Sequence, residues 1–92
     1  MAAAAATLAE MQRLLGQIRP GGYGDVAVTP ATRFVEDLGL QSLELTGFVF
    51  MCEQDFGVTL FDRPELLARL LTVGATLDAV GRLQRGEAVD GD

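Results

Sequence analysis

Histidine is missing from this chain, and so is lysine: all seven basic residues are arginines. Without an imidazole the chain lacks the usual general base, the Ser–His and Cys–His nucleophile pairs and the commonest metal ligand. Cysteine occurs once, at Cys52, so no internal disulfide can close, which suits a reducing compartment. Cys52 falls inside an apolar helical pattern and reads as a small core residue. Positive charge is scarce, with seven arginines against thirteen Asp and Glu and a formal net charge of −6. Nucleic-acid binding needs clustered positive charge, so that class is excluded. The acidity favours association with basic protein surfaces, or simply keeps a small domain in solution. Met1–Ala6 brings no basic leader, and Glu10 and Arg13 interrupt the segment that follows before any long apolar run. Neither a signal peptide nor a membrane span is expected, and the expected location is cytoplasmic.

Apolar residues make up 49% of the 92, enough for one folded domain with a modest core. That domain is expected over residues 1–85, with a Gly- and acid-rich disordered tail over 86–92. Leu8, Met11, Leu15 and Ile18 recur at helical spacing, with Leu14 widening the stripe, so a first amphipathic helix is predicted from about Ala4 to Ile18. The alanines before Leu8 read as its frayed start, and Pro20-Gly21-Gly22 ends it. A long connection follows to about Gln41, in which Thr32-Arg33-Phe34-Val35 is placed to plug Phe34 or Val35 into the core. A second helix is predicted from Ser42 to about Asp55, with Gly39 breaking the chain before it and Gly57 stopping it. A short third helix follows Asp62-Arg63-Pro64-Glu65, where Asp62 is the expected cap and Leu66, Leu67, Leu70 and Leu71 the apolar side. A fourth begins near Thr72 or Val73, with Val73, Leu77 and Val80 as its stripe and Leu83 near its end. No segment alternates like a strand. The expected fold is all-α, a small bundle of three main helices plus a short one with a long first loop.

At about 100° per residue, Leu45, Phe48, Val49, Cys52 and Phe56 share one arc of the second helix, the face to bury. Leu43 and Phe50 lie two turns apart on the opposite side, with Thr46 and Gly47 between them and Glu44, Glu53 and Asp55 at the borders. An apolar strip with acidic borders on an acidic chain points to a binding surface. The competing reading packs Leu43 and Phe50 beneath the long loop.

Glu36-Asp37-Leu38-Gly39-Leu40-Gln41-Ser42-Leu43-Glu44 resembles the signature of acyl carrier proteins, Asp-Leu-Gly followed after one residue by Asp-Ser-Leu. Phe48, Val49, Glu53 and Asp55-Phe56-Gly57-Val58 resemble the family's acidic, Phe-Gly-ended second helix, and Thr72-Val73-Gly74 with Leu77 the opening of its last helix. The resemblance spans about Leu8 to Leu83 and implies a four-helix, free-standing, monomeric carrier. It implies a covalent 4′-phosphopantetheine on Ser42, installed by a phosphopantetheinyl transferase and ending in a thiol that holds acyl groups as thioesters. It also implies that ketosynthases, acyltransferases or other acyl-handling enzymes dock on the second helix, at Gln41, Leu43, Glu44, Thr46, Gly47, Phe50 and Glu53. A phosphodiester at Ser42 would sit on a positive helix end, a fit typically worth ~0.3–1 kcal/mol. Two departures stand out. Gln41 replaces the usual Asp and lacks the charge that commonly faces a basic transferase, which points to slower modification or a dedicated transferase. Gly47 and Gln54 stand where acids are common, so partners chosen by apolar fit are expected, as in a specialised bacterial pathway such as polyketide assembly.

An aminoacyl or peptidyl carrier has the same architecture, but its usual Gly-Gly start is replaced here by Leu38-Gly39-Leu40. An unmodified adaptor would have only Gln41 in its favour. An enzyme has no acid–base pair, metal cluster or phosphate loop to work with, since Gly21-Gly22-Tyr23-Gly24 lacks a flanking Lys. The two readings of the apolar strip separate in one variant. Phe50→Ala is expected to leave the thermal unfolding midpoint nearly unchanged while weakening a cognate partner; a collapse in stability would place Phe50 in the core.

Overall fold

The computed structural model of the chain describes residues 3–87. Helix α1 starts later than its alanine run suggests, at Leu8, and runs to Ile18. Thr7 is the reason: in extended conformation it accepts the Glu10 N–H on its Oγ1, a side-chain N-cap. Residues 3–7 run non-helically beside the end of the second helix, where the Ala4 N–H donates to Asp55 O at 2.9 Å. Gln84 donates from Nε2 to both Ala4 O and Phe56 O and stitches this lead to the far end of the bundle. Residues 3–7 are therefore a strap rather than a frayed turn, because each of these contacts satisfies a backbone group without helix.

Helix α2 spans Ser42–Phe56 and ends at Gly57, whose φ of 67° is the left-handed conformation that glycine adopts without strain. Helix α3 is one short turn, Pro64–Leu67. Arg63, not Asp62, occupies its N-cap position, and no side chain caps it. Of its expected leucines, Leu66 and Leu70 are buried while Leu71 is exposed, because the helix ends at Leu67 and the chain turns before Leu71. Helix α4 runs Val73–Gln84, with Thr72 Oγ1 accepting the Ala75 N–H. It buries Val73, Thr76, Ala79 and Val80, a stripe rotated slightly from the one that includes Leu77. Gly86 and Glu87, at the start of the expected tail, close α4 instead: Gly86 N–H donates to Leu83 O and Glu87 N–H to Arg82 O. Residues 88–92 of that tail lie outside the described residues.

The long connection is held at several points. Phe34, not Val35, enters the core; its ring lies 5.2 Å from that of Phe48, tilted by 51°. The segment around it pairs with the start of α4 in an isolated antiparallel bridge, Arg33 with Thr72. Phe34 N–H donates to Leu71 O, Val73 N–H to Thr32 O and Gly74 N–H to Pro30 O. The core joins Met11, Leu14 and Leu15 of α1, Phe34, Leu38 and Leu40 of the connection, Phe48, Cys52 and Phe56 of α2, and Leu60, Leu66, Leu70, Val73 and Val80. Each fully buried Phe or Leu contributes about 1.5–3 kcal/mol, so the aromatic pair is the main reason that a loop this long keeps one path. Among the described residues no strand forms, and the all-α arrangement of three main helices and a short one is the one expected.

Two helix glycines differ in what surrounds them. A Cβ on Gly47 would meet Ile18 Cδ1 at 3.7 Å, an ordinary contact, whereas one on Gly74 would lie 2.8 Å from Pro30 O, a backbone atom. Gly47→Ala is therefore expected to raise stability by about 0.5–1 kcal/mol through lost unfolded-state entropy. Gly74→Ala is expected to cost about 1–3 kcal/mol by forcing the connection away from α4. Urea denaturation of both variants checks the pair of signs.

Candidate functional site

Everything that places Ser42 lies just before it or just across from it. Leu38 and Leu40 are buried, and Gly39 between them has a φ of 67°. Gly39 N–H donates to Val35 O and Leu40 N–H to Phe34 O. Gln41 then takes the N-cap position, so Ser42 is the first helical residue and is solvent-exposed. Glu44 reaches back to accept the Gln41 N–H on Oε1 at 3.0 Å. The same carboxylate meets Arg19 from the end of α1, with Nη2 to Oε1 at 2.7 Å and Nε to Oε2 at 3.3 Å. Arg19 also donates from Nη1 to Leu38 O and from Nη2 to Gly39 O. Its guanidinium carbon stands 5.1 Å from the centre of the Tyr23 ring, and Tyr23 donates its hydroxyl to Leu15 O. One arginine thus ties the end of α1, the turn before Ser42 and the first turn of α2.

A cleft of about 280 Å³ opens beside Ser42. Its walls are Phe34, Leu45, Thr46, Phe48, Val49 and Cys52 on one side, with Leu60, Phe61, Leu67, Leu70 and Thr76 opposite. Leu45 and Val49, expected in the core face, are only half-buried because they line this space. Cys52 is fully buried, and burial pushes its thiol up to about 12, so it stays protonated and inert at neutral pH. Among the described residues no group of His, Cys, Asp or Glu is arranged to hold a metal ion.

Gln41 is the exposed N-cap, and the other expected docking residues divide into three sets. Leu43 is 85% exposed and Phe50 55%, with Thr46 exposed beside them, so the apolar strip does not lie under the long loop. Gly47 does not belong to that strip: it faces Ile18, on the side of α2 that packs on α1. Glu44 and Glu53 are both engaged internally. Glu53 accepts the Leu60 N–H at 2.6 Å and the Phe61 N–H at 2.9 Å on the same oxygen, anchoring the segment that follows α2. A helical projection assigns these acids to the border of an open face because it does not contain α1 or the 60–61 segment. The residue that sequence reasoning missed is Arg19, which carries no motif; its only signal was being an isolated cation just before the helix-ending Pro20-Gly21-Gly22.

The chain is thus a small four-helix bundle with a helix-start serine beside an apolar cleft. No family model matches the chain. An acyl carrier protein of Nitratidesulfovibrio vulgaris (strain DP4) is 39% identical over 63 residues, covering 68% of this chain and 80% of the relative. The same figures hold for the acyl carrier protein of the Hildenborough strain. An acyl carrier protein of Solidesulfovibrio magneticus is 42% identical over 41 residues, 45% of this chain and 53% of the relative. The chain belongs to the acyl carrier protein family, and its bundle is of the acyl-carrier-protein type. Its general role is that of a carrier, and no helix among the described residues is long and apolar enough to cross a membrane.

Arg19 holds the Glu44 carboxyl below its ordinary value of 4.5, chiefly by hydrogen bonding and with help from the Gln41 N–H. A carboxyl with a depressed folded pKa contributes stability that is present above its unfolded value and is lost as pH falls through the folded one. Wild type should therefore lose more stability than Glu44→Gln as pH drops below about 4.5, with the two curves parallel at neutral pH. Thermal melts of both proteins across that range test this; identical slopes would mean that the pair contributes nothing to the fold.

Proposed function

We propose that this chain carries acyl groups as thioesters on a 4′-phosphopantetheine arm attached to Ser42, within a single carrier domain that takes in the Gly86–Glu87 closure of α4. The observation that supports it best is the exposed Ser42 at the first turn of α2, at the mouth of an apolar cleft of about 280 Å³. The residues present fit the group. A phosphate on Ser42 meets the free N–H end of a 15-residue helix. The turn before it is fixed by Arg19 and by buried Leu38 and Leu40, so little ordering is left for attachment. When bound, the arm supplies a terminal thiol for thioester formation.

Attachment forms the Ser42 Oγ–phosphorus bond and breaks the pyrophosphate link of coenzyme A, releasing adenosine 3′,5′-bisphosphate, with the serine proton taken up by the transferase. A carrier needs no base of its own for this step, which accounts for a chain without histidine. Apolar walls at Phe34, Leu45, Val49 and Leu60 suit an acyl cargo over a charged aminoacyl one. Partners are a phosphopantetheinyl transferase and acyl-handling enzymes such as a ketosynthase or acyltransferase, meeting Leu43, Thr46 and Phe50. This fits a cytoplasmic bacterial carrier of a specialised pathway such as polyketide assembly.

Incubation with coenzyme A and a broad-specificity phosphopantetheinyl transferase should add one phosphopantetheine to the intact mass, and Ser42→Ala should abolish the addition. No addition by any of several transferases would identify an unmodified adaptor instead.

A further inference from the structure

Helix α2 carries three carboxylates, and each is engaged inside the molecule. Asp55 meets Arg13 at 2.9 Å, Glu53 holds the Leu60 and Phe61 N–H groups, and Glu44 meets Arg19. Glu44 is the only charged residue between Ser42 and Cys52. Its pairing with Arg19 lies at the surface two residues from Ser42, with the two side chains 34% and 28% exposed. Arg19 is held there by two further bonds to Leu38 O and Gly39 O and by the Tyr23 ring, contacts that restrain its guanidinium beside Glu44. A matched pair acts on an approaching protein as a short dipole, which steers far more weakly than a single charge. What remains along the first three turns of α2 is the apolar area of Leu43 and Phe50.

We propose that Arg19 is a built-in charge mask that determines which partners this carrier accepts. By neutralising Glu44 it withdraws the one charge next to Ser42 from recognition. Selection then falls to apolar contact at Leu43 and Phe50, favouring acyl-handling proteins with an apolar docking site over those with a basic one. This inference rests on the carrier reading and adds a specificity determinant outside α2.

The test is kcat/KM for loading of Ser42 from coenzyme A by a phosphopantetheinyl transferase with a basic docking surface, measured from about 0.02 to about 0.5 M salt. Wild type and Arg19→Lys, both masked, should share one salt dependence, set by the chain's net charge of −6. Arg19→Gln exposes the Glu44 charge and should raise kcat/KM by about 2- to 5-fold at low salt, through KM, with the gain gone at high salt. The double variant Arg19→Gln/Glu44→Gln should return to the wild-type curve, which mere loosening of the turn would not produce. Glu44→Gln alone bares the Arg19 charge and should lower low-salt loading by a similar factor, so the mask is tested even if Arg19→Gln folds poorly. An Arg19→Gln curve parallel to wild type, or a change that persists in the double variant, overturns the mask and leaves the carrier reading standing. A wild-type chain that accepts no arm removes the carrier reading itself, and the mask with it.

Discussion

Arg19 closes on Glu44 and on the carbonyls of Leu38 and Gly39, and the geometry around Ser42 depends on that closure. An arginine is suited to the task because its planar fork can satisfy a carboxylate and two carbonyls at once. It joins the end of one helix to the start of another across the turn between them. Without it the Glu44 carboxylate would hold only the Gln41 N–H, and the carbonyls of residues 38 and 39 would turn to solvent. The rest follows in order: the turn is held, the helix begins at Ser42, and the serine stands at the mouth of the cleft.

The second constraint is the packing of Phe34 on Phe48. It ties a connection with little regular structure to the middle of α2, and the bridge from Arg33 to Thr72 then sets the start of α4 against the same segment. These contacts leave a gap between α2 and the segment from Leu60 to Leu70, and that gap is the cleft. The cavity is thus a consequence of where the connection crosses the bundle. No single helix specifies it.

Much of this was legible in the residue order. Gly39, the acids around Ser42 and the Phe56-Gly57 stop bound α2 closely, because caps and helix stops are local chemistry. The exposure of Leu43 and Phe50 was legible for the same reason: they lie opposite a continuous apolar arc. The start of α1 was misplaced because the alanine run carries no signal that opposes helix and hid the local cap of Thr7 on Glu10; that cap starts the helix, and the contacts of Ala4 with Asp55 and Gln84 hold the strap away. Asp62 matches a capping pattern, yet the turn places Arg63 at the cap position. The engagement of Glu53 and the place of Gly47 were not legible, since both depend on a neighbour distant in sequence.

By itself the sequence determined the all-α class, the position of Ser42 at a helix start, the apolar strip beyond it and the absence of histidine chemistry. Each of these rests on composition or on spacing within one element, and so needs no knowledge of packing. The tertiary structure decided which carboxylates remain open to a partner, whether Phe34 or Val35 enters the core, and that a cleft lies under the serine. Those outcomes join residues seven to 42 apart, and distance along the chain says nothing about which charges will meet. The pairing of Arg19 with Glu44 is the clearest case: two ordinary surface residues in the sequence become, once α1 lies against α2, the contact that holds the site.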